Sequence, residues 1–136
     1  MSAPSQSALT PELSVSDIGA SRRFYRDILG FALVYDRPEE GFEFLDYQGC
    51  HLMLDQLGIG RDFITASLEK PYGRGINLQF TVSDITPLVT RLEAAGIPLF
   101  LPLETKSYRV GPVSMTQRQF CVQDPDGYLL RFADSR

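Results

Sequence analysis

Val82-Ser83-Asp84-Ile85 repeats, residue for residue, Val15-Ser16-Asp17-Ile18. The two copies stand half a chain length apart, each after a strand-like run and before a helix-like one. That offset, with matching surroundings, points to internal duplication, and the chain reads outward from it. Upstream of the first copy, Glu12-Leu13-Ser14-Val15-Ser16 alternates polar and apolar residues, the period of a half-buried strand. Asp17, or Ser16 beside it, then caps a helix whose apolar face is Phe24, Tyr25, Ile28 and Leu29. Gly30 ends that helix, being free to take the left-handed conformation past its C-terminus. Arg22, Arg23 and Arg26 read as its solvated face rather than a binding patch. Three strands are predicted next, Phe31 to Asp36, Phe42 to Tyr47 and Cys50 to Asp55, with turns at residues 37–41 and 48–49.

The second copy predicts the same plan. Ile76 to Val82 alternates as a strand, and Asp84 opens a helix with Ile85, Leu88, Val89 and Leu92 at helical spacing, Pro87 in its first turn and Gly96 at its end. Strands are predicted at Leu99 to Leu103, Gln117 to Val122 and Tyr128 to Phe132, the last after the turn Asp124-Pro125-Asp126-Gly127. The fold class is therefore α+β, two tandem strand-helix-strand-strand-strand modules within one domain spanning residues 1–136. Module one covers about residues 9–55 and module two about 75–133. The connector, about 56–74, is long enough to be functional, and its Phe63, Ile64 and Tyr72 are expected to pack on something.

Composition narrows the function. At 136 residues and 43% hydrophobic content, the chain can bury a sizeable core. A net charge of −4 argues against a nucleic-acid binder, which would show a basic patch. Mild acidity fits either a cationic ligand or simple solubility. No apolar run is long enough to span a bilayer, and Met1 to Ala8 reads as a polar tail rather than a signal peptide, so a cytoplasmic protein is expected. Cys50 and Cys121 fit reduced thiols and share no metal-type spacing.

The pattern resembles the vicinal oxygen chelate superfamily of glyoxalases, extradiol dioxygenases, fosfomycin-resistance enzymes and bleomycin-resistance proteins. The residues that carry the resemblance are Val15-Ser16-Asp17 with Ser21, Phe24 and Tyr25, Leu29-Gly30-Phe31, Val82-Ser83-Asp84, Ala94-Ala95-Gly96-Ile97 and Asp124-Pro125-Asp126-Gly127-Tyr128. The resemblance implies a curved, eight-stranded mixed sheet forming an open cup, usually in a homodimer, with the ligand in the cup or the dimer cleft. Metal-dependent members hold a divalent ion on histidines and glutamates from the first and last strands of both modules. Carried onto this sequence, those positions are Thr10, Met53, Asn77 and Arg131, none of them His, Glu or Asp. A guanidinium offers no lone pair and repels a cation. The chain has one histidine, His51, so a subunit cannot supply a two-histidine site. His51 reads as a structural or pocket-lining residue, with ligand or base as the alternative. No metal and no cofactor are expected.

Catalytic material is thin. Tyr108-Arg109, Arg118 and Arg131 could polarise an oxyanion, and Asp55 or Glu104 could act as a base, but no spacing holds a pair together. Ser107, Ser114 and Thr116 have no histidine near them in sequence. The sequence resembles the metal-free bleomycin-resistance branch in Pro71-Tyr72-Gly73-Arg74-Gly75, Arg118-Gln119-Phe120 and the run Gln123 to Phe132. The resemblance thus implies a small-molecule binder, with a bleomycin-type antibiotic as candidate ligand and antibiotic resistance by sequestration. An enzyme acting on a small anionic metabolite is the alternative. Strand parity and the resemblance nominate Phe42, Phe44, Asp46, Met53, Asn77, Gln79, Tyr108, Arg118 and Arg131 as ligand-binding residues. Phe42 and Phe44 could equally pack under a helix. Trp, the strongest stacker, is absent, and Arg131 favours an anionic or carboxylated ligand over a cationic one.

Overall fold

A computed structural model describes residues 5–135. Of the polar stretch Met1 to Ala8, residues 1–4 lie outside the described part. Contacts divide the chain into two compact units, Met1–Lys70 and Pro71–Arg136. The eight strands hydrogen-bond as two four-stranded mixed sheets, one in each unit.

In the first unit the order is β1 (Glu12–Val15), α1 (Ile18–Arg22), β2 (Ala32–Arg37), β3 (Phe42–Tyr47) and β4 (Cys50–Gln56). Asp17 caps α1 as expected, its carboxylate accepting from the Gly19 and Ala20 amides. The helix then widens into a π-helical turn, Arg23–Ile28, and Gly30 follows with φ of 90°. That widening shifts the apolar face: Phe24, Tyr25 and Leu29 are buried, Ile28 only half-buried. The sheet order is β1-β4-β3-β2, with β1 parallel to β4 and the other pairs antiparallel. Leu13, Val15, Leu45, Leu52 and Leu54 are buried with the helical residues Tyr25 and Leu29. Each such side chain contributes roughly 1.5–3 kcal/mol. Arg22 and Arg26 correct the reading of a purely solvated face, because both reach Glu43, a carboxylate with 1% side-chain exposure. Glu43 therefore marks the helix side of β3, and Phe42 and Phe44, at alternating positions, lie on the opposite side.

The second unit repeats the order as β5 (Asn77–Thr81), α2 (Thr86–Ala94), β6 (Leu101–Val110), β7 (Val113–Gln123) and β8 (Leu129–Ser135). Its sheet order is β5-β8-β7-β6, the counterpart of the first. Phe132 stacks between Phe80 and Phe120, at 5.0 and 5.4 Å between ring centroids. These rings share the core with Ile85, Leu88 and Leu92, the helical spacing read from sequence. The connector's end is tied down where the Tyr72 amide donates to the Asp126 carbonyl at 2.8 Å and the Tyr72 ring meets Tyr128. Phe63, by contrast, is 70% exposed.

The strands of the β6–β7 hairpin are longer than predicted. β6 and β7 pair as far as Val110 and Val113, closed by Gly111-Pro112 with Gly111 at φ of 61°, the form of a two-residue hairpin turn. Residues 105–116 are exposed, so no buried face imposes an alternating pattern on them. Backbone pairing and the β-prone Tyr108, Val110, Val113 and Thr116 hold this part instead. No described helix is long and apolar enough to cross a membrane.

Candidate functional site

Each sheet has one face under its helix and one open face, and strand parity assigns every side chain to one or the other. On the second sheet, Gln79 lies beside Arg131, Arg131 beside Cys121, and Gln117 beside Ser135. Met115 pairs with Tyr108 farther out along the hairpin. All of these except Cys121 line an open cleft of about 390 Å³, walled also by Val110 and Thr116. The volume is at the low end for a small-molecule site.

The cleft wall is hydrogen-bonded before any ligand arrives. Gln119, 3% exposed, donates through Nε2 to Glu104 Oε2 and to Tyr108 Oη, both at 2.7 Å. Gln117 Nε2 donates to Gln119 Oε1 at 3.0 Å, and Gln79 Nε2 to Thr81 Oγ1 at 3.3 Å. The amides and the Tyr108 hydroxyl thus hold one another. Arg131 differs: its Nε is buried with no hydrogen-bond partner, and no carboxylate among the described residues forms an ion pair with it. Burial pushes the Cys121 thiol up from its ordinary pKa, with Arg131 opposing the rise and Glu104 adding to it.

Of the nominated residues, Gln79, Tyr108 and Arg131 line this cleft. Asn77 lies on the same face of β5 but is exposed outside the lining. Arg118 is a correction. It occupies the helix face, where Nε and Nη2 reach Asp134 at 3.0 and 2.6 Å and Nη2 reaches Asp84 at 3.0 Å. It pins the start of α2 to the sheet. Sequence reasoning missed Met115, Val110, Gln117 and Ser135. Extending β7 back to Val113 and counting by twos from Cys121 would have placed Met115 and Gln117 on the open face.

In the first unit, Phe42, Phe44, Asp46 and Met53 share the open face, but their partners are already in place. Phe44, 1% exposed, stacks on Tyr35 at 5.1 Å and lies 5.0 Å from His51. The Arg37 guanidinium covers Phe42 at 3.9 Å. Asp46 Oδ1 lies 3.0 Å from His51 Nε2, while His51 Nδ1 accepts from the Ser7 amide at 2.9 Å. His51 therefore ties down the segment before β1. Nearby, burial raises the pKa of Glu12 and Asp55; Asp55 adds to the rise at Glu12, Asp62 and Glu40 add to it at Asp55, and Arg37 opposes both.

The metal positions implied by the resemblance hold a hydroxyl, a thioether, an amide and a guanidinium at Thr10, Met53, Asn77 and Arg131. This donor set does not fit a divalent cation, since the first three are weak neutral donors and the last is a fixed positive charge. Among the described residues, no group of three or more His, Cys, Asp or Glu side chains is placed to hold a metal ion.

Paired modules of this topology, each with an open sheet face, define a fold class in which function lies in what lines that face. The chain belongs to the Glyoxalase/Bleomycin resistance protein/Dioxygenase superfamily, whose pattern it matches over residues 8–132. It is 42% identical to a superfamily member from Vibrio splendidus 12B01, covering 92% of this chain and 95% of that one, at a TM-score of 0.43. It also resembles TioX from Micromonospora sp. ML1, with 24% identity, 96% and 99% coverage and a TM-score of 0.71. Lactoylglutathione lyase from Agrobacterium tumefaciens gives 21% identity, 97% and 96% coverage and a TM-score of 0.63. The last two show a shared fold. A search of curated proteins gave no match.

Proposed function

We propose that the chain is a metal-independent small-molecule binding protein of the bleomycin-resistance type, retaining its ligand in the cleft of the second sheet rather than transforming it. The observation that supports this most is the wall of that cleft. It offers Arg131, committed amides and apolar side chains, where metal-assisted chemistry would need acids and imidazoles. The working assembly we propose is a homodimer, which sedimentation would measure. Calorimetric titration of EDTA-treated protein with bleomycin tests the reading. Saturable heat supports sequestration of that antibiotic. Absence of heat at high micromolar bleomycin removes it as the ligand, and binding that appears only after a divalent metal is restored overturns metal independence.

A second reading, an enzyme acting on a small anionic metabolite, draws on Tyr108. Its hydroxyl lines the cleft and accepts from Gln119, which also holds the Glu104 carboxylate, so a proton donor and a base stand on one network. Product formation in a metabolite-turnover screen, lost in Tyr108→Phe, would displace sequestration in favour of catalysis.

A further inference from the structure

We propose that this cleft selects an amphipathic monocarboxylate, one carboxylate at the end of an apolar body. The inference rests on the cleft being the ligand site and adds the charge and shape of what enters it.

The charge follows from Arg131. Arg22, Arg26, Arg37 and Arg118 each engage a carboxylate of the chain. Arg131 lines the cleft and has no such partner among the described residues, with Nε buried and unsatisfied. A cleft-lining guanidinium with no carboxylate of the chain beside it can pair with an anion through its accessible Nη groups. The amide donors around it are committed to Gln119, Glu104, Tyr108 and Thr81, which leaves the guanidinium as the charged donor of the wall. Its planar fork matches the two oxygens of a carboxylate. Glu104 pairs with Gln119 across the same open face. A dianion entering beside Arg131 would meet that second negative charge, so a single charge suits the wall better.

The shape follows from the far end of the cleft. Tyr108, Val110 and Met115 line it while remaining 36%, 50% and 51% exposed. Apolar side chains at the rim of a polar cleft gain most when an apolar body covers them. Along β7, Arg131 is registered at Cys121 and Tyr108 at Met115. At about 3.3 Å per residue, those registers lie roughly 20 Å apart, and the length of the Arg131 side chain shortens the span to be bridged. A ring carried on an alkyl spacer, met partway by the Tyr108 and Met115 side chains that line the cleft, suits that span better than a short acid does.

The test uses three probes with one body, 4-phenylbutyrate, 4-phenylbutyramide and 3-phenylpropylphosphonate, titrated calorimetrically into the full chain at pH 9, where the phosphonate carries both charges. The carboxylate is expected to bind roughly 10- to 100-fold more tightly than the amide, the range of a charge-assisted hydrogen-bonded pair. Arg131→Gln should erase that difference while leaving the weak amide binding, and Arg131→Lys should keep part of it. Circular dichroism and thermal unfolding establish that both variants fold. Equal binding of acid and amide, tighter binding of the dianionic phosphonate, or unchanged acid binding in Arg131→Gln would each overturn the inference. Binding of the amide alone overturns it and leaves the cleft as a ligand site. Binding of no probe also overturns it, and the bleomycin titration then decides the broader reading separately.

Discussion

Replacing Arg118 with methionine should destabilise the fold by about 3 kcal/mol, the lower end of the cost of removing one partner from a buried ion pair, because Arg118 itself is 21% exposed. The magnitude comes from Asp134, whose side chain is 0% exposed. Its Oδ1 accepts from Arg118 Nε at 3.0 Å, and its Oδ2 accepts from Nη2 at 2.6 Å and from the Ile85 amide at 2.8 Å. Methionine fills a similar volume but removes both guanidinium bonds from this buried carboxylate. The same change removes the Nη2 bond of 3.0 Å from Asp84, which also accepts the Thr86 amide at 2.9 Å, loosening the start of α2. Urea unfolding at pH 7 measures the loss directly, and a fall of about 10–15 °C in Tm should accompany it. Added salt should change the loss little, because Asp134 is buried. In the double variant Arg118→Met with Asp134→Asn, most of the loss should return, since the uncompensated charge is gone. A loss below about 1 kcal/mol would refute the reasoning and class the ion pair with exposed ones. Binding of 4-phenylbutyrate should be unchanged, because Arg118 lies on the face away from the cleft.

Two more outcomes follow from local geometry. Gly127→Ala should cost about 2–4 kcal/mol, measured as a lowered urea midpoint, because φ is +99° and the added Cβ would lie 2.4 Å from the Pro71 Cβ and 2.6 Å from its Cα. Asp55→Asn should raise Tm at pH 7. Burial, Asp62 and Glu40 hold the Asp55 carboxyl above the ordinary carboxylate range, so the folded state binds its proton more readily than the unfolded chain does. Stability therefore falls as pH rises from that ordinary range through the raised value, and acidification from neutral recovers it. The Asp55→Asn variant should lose this part of the pH dependence, and a lower Tm at pH 7 than the parent would count against the assignment.

The duplicated Val-Ser-Asp-Ile segments were legible because helix starts and strand parity are written in adjacent residues. Asp17 caps through its carboxylate, Gly30 takes a positive φ because it has no side chain, and Ile85, Leu88 and Leu92 bury as their spacing requires. Parity also put Phe42 and Phe44 on the open face, but not the aromatic, histidine and arginine contacts that occupy them. What escaped the sequence depended on partners from other elements. The acids that hold Arg118 come from the β5–α2 connection and from β8, and Glu43 draws Arg22 and Arg26 from a helix to β3. The outer hairpin escaped for the opposite reason: with no buried face, its strand character left no hydrophobic period to read.

Arg118 and Arg131 show why the open face is the one to question. Parity sends Arg118 to the helix side and Arg131 to the cleft side of the same sheet. The helix side meets its arginine with two carboxylates, whereas the cleft side leaves Nε–H without an acceptor, although the chain carries 17 acidic residues against 13 basic ones. A buried donor left unsatisfied costs about 1–3 kcal/mol, while the aliphatic stem of arginine packs much as methionine does. Arg131→Met should therefore stabilise the protein by roughly 1 kcal/mol in urea unfolding while abolishing its preference for 4-phenylbutyrate over the amide. Stability gained together with recognition lost is the expected signature of a residue that serves a ligand rather than the fold. If Arg131→Met instead unfolds at lower urea, Arg131 is holding the sheet together, and the case for an anion in the cleft loses its physical basis.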